Sequence, residues 1–279
     1  MNKLTAYARA KINLGLDILC KRDDGYHDIR TLMHTVSLCD TLVFEISDET
    51  SLSCDMPGIP IDGNNIVIKC LNRTEEAVGK KLPMKIELYK RIPSGAGLGG
   101  GSADGAETIK AANELYGLGL TPDEQAEIAA RAGSDIPFLV YGGFALCEGR
   151  GELITKLPKL GAYPCLLVKP EESVDTGAAY AFFDGDTGQR KNCDFQEILR
   201  SLREGTDTRL HNDFEDYLRL LYPKTSSIKD ELISSGAFAC SLSGSGSCFY
   251  GLFRETSEAQ KAYSEMKAKY TFAELTVLC

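Results

Sequence analysis

The sequence predicts an α+β fold in two domains. Three observations carry that expectation. Strand-like and helix-like stretches mix without the strict alternation that a doubly wound sheet requires. The chain has 279 residues, enough for one large domain or two medium ones sharing a cleft. Around Lys156 to Tyr163 regular patterning stops, with Pro158, Gly161 and Pro164 close together, which marks a boundary. The expected domains are residues 1–159 and 160–279.

The elements follow in chain order. Residues 8–16 read as a strand, with Lys11 and Asn13 on one face and Ile12 and Leu14 on the other. A strand lysine is usually solvated, so local evidence puts Lys11 on the surface. Asp24-Gly25 signals a turn from which Tyr26 and His27 project. A tyrosine can stack on a base and a histidine can hydrogen-bond a base edge; core packing plus a surface histidine is the plainer reading. Leu42, Phe44 and Ile46 alternate with polar or smaller residues, as do Met84, Ile86 and Leu88, and both runs read as strands. Ala106, Ile109, Ala112 and Leu115 recur at helical spacing until Gly117 and Gly119. Thr121-Pro122-Asp123-Glu124 is a capping box. Its helix has a buried stripe at Ala126, Ala129 and Ala132 and ends at Gly133. Ser134-Asp135-Ile136-Pro137 opens another helix, with Asp135 first a cap. The helix end would hold that carboxylate ionised, and an ionised carboxylate suits accepting a hydroxyl proton in phosphoryl transfer. Phe144 and Leu146 suggest a strand and residues 149–152 a turn.

Past the boundary, Cys165–Val168 reads as a buried strand, and helices are expected near 176–183, 195–203, 213–221 and 226–235. A strand to Leu242, the turn Ser243-Gly244-Ser245-Gly246-Ser247 and a strand 248–253 follow. A last helix opens with Ser257 and Gln260 as a capping box, and 275–278 closes as a strand. The turn reads equally as a hairpin or as backbone brought near a ligand.

Composition excludes several functions. The net charge is −9 and no Lys/Arg-dense stretch stands out, so a nucleic-acid partner is not expected. No segment has the ~18 apolar residues of a membrane span, and the start of the chain lacks a secretory signal. The ten cysteines form no C-x-x-C pair. They read as reduced thiols filling the core of a cytoplasmic protein. His34 and His211 show no partners that suggest a metal. Nothing in the sequence sets an oligomeric state.

The most informative stretch is Pro93-Ser94-Gly95-Ala96-Gly97-Leu98-Gly99-Gly100-Gly101-Ser102-Ala103, with five glycines in eleven residues. It lies between a strand and a helix. Such a loop turns backbone N–H groups toward one point in front of a helix N-terminus, which binds phosphate without a basic side chain. A Walker A loop needs Gly-Lys-Ser/Thr, and no lysine follows Gly101. Gly95, Gly97 and Gly100 match a dinucleotide fingerprint literally, but the strand before them is half exposed and the downstream region is helical. The motifs of a protein kinase are absent. Ser102 opens the helix, as an N-cap or as a contact to phosphate or Mg²⁺.

Taken in order, Ala10-Lys11-Ile12-Asn13-Leu14, Pro93 to Ala103 and Leu242-Ser243-Gly244-Ser245-Gly246 resemble the GHMP small-molecule kinases. Asp24-Gly25-Tyr26-His27, Gly97 to Ser102 and Gly133-Ser134-Asp135-Ile136-Pro137-Phe138 narrow the likeness to members whose acceptor is a cytidine-diphosphate-linked methylerythritol. The resemblance implies an N-terminal domain like ribosomal protein S5 domain 2, a ferredoxin-like C-terminal domain and an active site in the cleft between them. It implies ATP as co-substrate with Mg²⁺, the loop 93–103 as the ATP site, and Lys11 and Asp135 as the catalytic pair. It places Asn13 beside the acceptor hydroxyl and Tyr26 and His27 on cytidine. The chain departs from the family at Ala103, which loses a hydroxyl, at Ser247, where alanine is commoner, and at Gly105. There, glycine loosens the helix start by roughly 1 kcal/mol. Another GHMP kinase with a mevalonate, homoserine or sugar acceptor, and a non-catalytic nucleotide-binding module, are the alternatives.

Overall fold

The first strand already departs from simple alternation. β1 (Lys3–Lys21) alternates in exposure only to about Ala10, and from there to Ile18 both of its faces are buried. Lys11 is therefore 3% exposed and Asn13 1%. The expectation of a surface lysine is overturned. Alternation within one strand cannot reveal that a second layer covers its polar face, where polar groups persist only with partners.

The computed structural model describes residues 2–184 and 192–279. After β1 come β2 (His27–Ile46), β3 (Ser51–Cys54), α1 (Ile66–Val78), β4 (Met84–Tyr89), α2 (Gly100–Tyr116), α3 (Pro122–Ala130), α4 (Ile136–Tyr141), β5 (Phe144–Gly149) and β6 (Leu153–Lys156). Then follow β7 (Pro164–Lys169), α5 (Thr176–Ala181), α6 (Phe195–Glu204), β8 (Thr208–Arg209), α7 (Phe214–Leu221), α8 (Ser226–Ser234), β9 (Ala239–Leu242), β10 (Phe249–Leu252), α9 (Thr256–Lys267) and β11 (Phe272–Val277). The described strands form two sheets, so the mixed α and β character is as the sequence indicates. By internal packing the chain divides into two units of interleaved segments. One comprises the chain up to Ala10, Leu38–Ser94 and Gly99–Gly142; the other comprises Lys11–Ser37, Gly95–Leu98 and Gly143–Cys279.

In the first unit the end of β2 pairs antiparallel with β4, from Thr41↔Tyr89 to Ile46↔Met84. β3 adds to β4 in parallel. Leu42, Phe44, Met84, Ile86 and Leu88 are buried from the strands, and Val67, Leu71, Ile109 and Ala112 from the helices. α1 was not expected. Asn65 caps it by accepting the Val67 N–H at 2.9 Å, and Gly79 ends it in the left-handed region. The capping box of α3 forms as expected, with Thr121 and Glu124 each accepting from the other's backbone N–H. α2 starts earlier than expected. Gly99 is its N-cap, so Ser102 is a residue inside the helix and not its cap.

In the second unit the start of β2 pairs with β5, from Ile29↔Gly149 to His34↔Phe144, and β5 turns back into β6. The other sheet runs β11-β7-β10-β9-β8. β7 is buried along its whole length, which explains its continuous apolar run. Leu166, Val168, Leu242, Phe249 and Phe253 share a core with Phe214, Leu218, Ile228, Leu232 and Met266 from the helices. α9 begins at Thr256 behind Glu255 without a side-chain cap, so the box expected from Ser257 and Gln260 does not form. All ten cysteines are free thiols, and five are buried.

Candidate active site

The second unit gathers Lys11 and Asn13 from β1. Lys11 Nζ donates to Asn13 Oδ1 at 2.7 Å. The same oxygen accepts the Gly244 N–H at 2.8 Å. Asn13 Nδ2 donates to Thr31 Oγ1 at 2.9 Å, and the Thr31 hydroxyl in turn donates to the Gly15 carbonyl at 2.6 Å. The Asn13 carbonyl accepts the buried Tyr250 hydroxyl at 2.8 Å. The amide of Asn13 is thus locked on both sides, and it orients the lysine ammonium. A buried lysine is tolerable only with such partners.

The turn at residues 243–247 closes on part of the glycine loop. Ser243 Oγ donates to the Gly97 carbonyl at 2.9 Å, and Cys248 N–H donates to the Ala96 carbonyl at 3.2 Å. The Lys11 N–H donates to the Leu98 carbonyl at 3.0 Å. Gly97 has φ +73°, and a Cβ there would fall 1.9 Å from the Ser243 carbonyl oxygen. Only glycine fits that conformation and that contact together. A Cβ on Gly244 would lie 3.2 Å from Lys11 Nζ. Of the two readings the sequence left open for this turn, the structure shows the hairpin, since the turn joins β9 to β10 in an antiparallel pair from Leu242↔Phe249, and its backbone packs against loop and lysine. Asn212 secures it by donating to the Leu242 and Gly244 carbonyls at 2.9 Å each. Thr31, Tyr250 and Asn212 escaped the sequence reading because their signal is tertiary, one hydrogen bond at a time.

Tyr26 and His27 part ways. Tyr26 is 52% exposed, and Arg150 lies over its ring at 4.6 Å. His27 opens β2 and is buried, stacked on Tyr180 at 5.1 Å. It does not project from the turn as expected. Its Nε2 is 3.1 Å from Asp184 Oδ1, yet has no aligned hydrogen bond among the described residues. Lys21 pairs with the other oxygen of that carboxylate.

The first unit holds Pro93, Ser94, Gly99, Gly100, Gly101, Ser102, Ala103 and Asp135, while Gly95 to Leu98 belong with Lys11 to the second. Residues 93–99 are irregular, and 100–103 already belong to α2. The first turn of α2 has no capping side chain, so its N–H groups are open to an acceptor from outside. The Ser102 hydroxyl takes no partner among the described residues. Asp135 stands at the N-cap position of α4 but makes no capping hydrogen bond, and the cap expectation for its side chain fails.

His211 also departs from expectation. Its Nε2 lies 2.9 Å from Asp213 Oδ1, and one donor atom each from Asp17, His211 and Asp213 lies within 4.8 Å of the others. The bond to Asp213 raises the imidazole pKa, against burial. Both carboxylates hold backbone: Asp17 accepts the Cys193 N–H at 2.9 and 3.0 Å, and Asp213 accepts the Ile18 N–H at 2.6 Å. The group fastens the segments around 193 and 213 to β1.

Comparison with known proteins matches residues 65–143 to the GHMP kinases N terminal domain and residues 190–271 to the GHMP kinases C terminal domain. The chain is 41% identical to the 4-diphosphocytidyl-2-C-methyl-D-erythritol kinase of Thermodesulfovibrio yellowstonii, over 93% of each chain. It is 38% identical to the kinase of that name from Caldanaerobacter subterraneus, over 98% of this chain and 96% of the relative. A crystal structure of 4-(cytidine 5'-diphospho)-2C-methyl-D-erythritol kinase superposes with a TM-score of 0.85 at 30% identity, covering 99% of both chains. Homoserine kinase from Cytophaga hutchinsonii shares the fold at a TM-score of 0.76 and 22% identity, over 100% of this chain and 95% of that one. No described helix is long and apolar enough to cross a membrane.

Proposed function

The chain belongs to the GHMP kinase family, and from that premise we propose that it moves the γ-phosphoryl group of ATP to the 2-hydroxyl of 4-diphosphocytidyl-2-C-methyl-D-erythritol, in the non-mevalonate route to isoprenoid precursors. The observation that carries this reading is likeness to kinases named for that acceptor over nearly the whole chain.

In the proposed reaction the bond from the γ-phosphorus to the bridging oxygen of ADP breaks as the acceptor oxygen bonds to phosphorus. The acceptor proton passes to the Asp135 carboxylate. Lys11, oriented by Asn13, offsets charge on the reacting oxygens, and Asn13 lies beside the acceptor hydroxyl. The backbone N–H groups of residues 93–103 and the start of α2 hold the nucleotide phosphates. Tyr26 offers a half-exposed ring to the cytosine, and the unaligned His27 Nε2 serves the base edge. Most of the rate comes from alignment and preset electrostatics. The Ser102 hydroxyl, a hard oxygen, would hold Mg²⁺ together with the nucleotide phosphates, and the ion would then neutralise phosphate charge. The same reading keeps domains at 1–159 and 160–279, S5-like and ferredoxin-like in turn, with the active site in the cleft between them, as the family resemblance implies. It also keeps the protein in the cytoplasm.

An acceptor panel with coupled ADP detection tests the reading. Turnover is expected with the cytidine-linked acceptor and not with mevalonate, homoserine or sugars. Preference for one of those acceptors overturns the specificity, and ATP binding without turnover on any acceptor overturns the enzyme. Asp135→Asn should lower kcat by about 10²–10⁴-fold with little change in ATP affinity.

A further inference from the structure

His27 carries a buried polar atom that no described residue satisfies. Its Nε2 is buried without an aligned hydrogen bond, although Asp184 Oδ1 lies 3.1 Å away. A buried polar atom in this state costs free energy unless a ligand completes it. The His27 side chain is 5% exposed, so its neighbours decide what that atom can offer.

α5 supplies two of those neighbours. Asp175 caps the helix by accepting the Ala178 N–H at 2.7 Å, and Val174, Ala179 and Phe183 anchor it in the core. The helical turn carries on past Ala181: the Phe183 and Asp184 N–H groups donate to the Tyr180 and Ala181 carbonyls at 3.0 and 3.1 Å. Tyr180 and Asp184 stand four residues apart, the spacing that puts two side chains on one side of a helical turn. Tyr180 stacks on the imidazole with 22° between the rings, and Phe214 packs edge-on against Tyr180 at 4.9 Å. The stack fixes the plane of the imidazole, and Asp184 borders its Nε2 edge.

Asp184 fixes the proton as well. Lys21, at the end of β1, pairs with the second carboxylate oxygen. That bond holds the Asp184 carboxyl below the usual carboxylate range, against partial desolvation. An ionised oxygen 3.1 Å from a bare Nε2 would set two lone pairs against each other. Nε2 therefore carries hydrogen, whether the ring is neutral or protonated, and acts as a donor. Because this N–H is not aligned on Oδ1, a ligand atom can take it.

The two pyrimidine bases differ at the atom such a donor meets. Cytosine offers a bare N3, an acceptor; uracil carries N3–H, a donor. We propose that Asp184 is a positioning residue that makes His27 Nε2 a hydrogen-bond donor, and that this sets a preference for a cytidine over a uridine acceptor. The proposal rests on the reading that His27 meets the base edge. Nε2–H donates to N3 of cytosine. Against uracil two N–H groups face each other, and a buried donor stays unpaired.

The test compares kcat/KM for the cytidine-linked acceptor and for its uridine analogue, in the wild type and in Asp184→Ala. The Asp184 side chain is 35% exposed, so shortening it opens no cavity in the core. The wild type should favour cytidine by about 10–100-fold. Asp184→Ala should bring that ratio down about tenfold, with the ATP KM unmoved. A ratio unchanged in the variant, even with both activities lowered, makes Asp184 structural and overturns the inference while the cytidine reading stands. A wild type that turns over neither acceptor overturns both. Nuclear magnetic resonance gives a readout on the unmodified active protein. The chain has three histidines, so ¹⁵N–¹H correlation of histidine-labelled wild type in mildly alkaline buffer resolves each ring, with His27→Gln identifying its signals. A proton on His27 Nε2 supports the inference, and a proton on Nδ1 alone overturns it.

Discussion

Gly105→Ala sets two effects of opposite sign against each other. Inside a helix, alanine is favoured over glycine by about 1 kcal/mol, so propensity alone predicts a more stable protein. A Cβ at Gly105 would sit 2.7 Å from Cys70 Sγ, far inside a carbon–sulfur contact. The thiol has little room to retreat: Cys70 is 0% exposed, and the same Cβ would meet Ile66 Cγ1 at 3.4 Å and Ile136 Cδ1 at 3.6 Å. Overpacking a tight core costs about 1–3 kcal/mol; set against the propensity gain, the net loss is about 0–2 kcal/mol, and we expect about 1 kcal/mol. Urea unfolding followed by far-UV circular dichroism measures it. Cys70→Ala makes room, so the double variant should lose less than the sum of the single variants, with a coupling of about 1 kcal/mol or more. A Gly105→Ala protein stabilised by the full propensity gain, with no coupling to Cys70, would refute the reasoning. Gly105 would then be a weakness in the helix start and not the condition for α1 to approach α2.

Gly97→Ala forces a left-handed residue to carry a Cβ, which costs about 1–2 kcal/mol, and drives that Cβ into the Ser243 carbonyl. The ATP KM should rise at least about tenfold, since 1.4 kcal/mol is a factor of ten; an unchanged value speaks against the loop as the ATP site. Tyr26→Ala should raise the acceptor KM about tenfold, the worth of one stacked base, with the ATP KM unmoved. Equal KM values for the acceptor in variant and wild type would remove the cytidine role. His34 predicts loss of stability in acid. Its Nδ1 donates to the Thr35 carbonyl at 2.7 Å, its Nε2 is buried without a partner among the described residues, and burial lowers its pKa below 6.5. The unfolded chain then binds the proton first, so this contribution is complete above about pH 6.5 and falls as pH drops through the lowered folded value. Denaturation midpoints between pH 5 and 7.5 should fall less steeply in His34→Gln than in the wild type; identical slopes would contradict the assignment.

Local rules located most of the elements. Alternation marked the end of β2 and β4, and helical spacing with its glycine stops marked α2. Thr121 and Glu124 marked the start of α3, and the glycine density of 93–103 marked the irregular loop that runs into α2. Such signals work because each arises from neighbours within about one turn, where backbone geometry alone constrains the residue types. The reading failed where a second layer intervened. β1 is covered on both faces, so Lys11 went from surface to core. His27 went under Tyr180, and Asp135 stands at a cap position without using it.

The sequence by itself determined the mixed α and β class of the fold, the glycine-rich loop ahead of α2 and, through family likeness, membership of the GHMP kinases. Tertiary structure alone decided what each polar side chain touches. Asn13 orients Lys11 because residues 31 and 244 reach its amide. Gly97 is glycine because a carbonyl 146 residues away occupies the space of a side chain. Lys90 joins two carboxylates, one 50 and the other 14 residues distant. Periodicity records which face of an element is apolar; a hydrogen bond between distant segments leaves no period in the sequence, and its geometry exists only after the chain has packed.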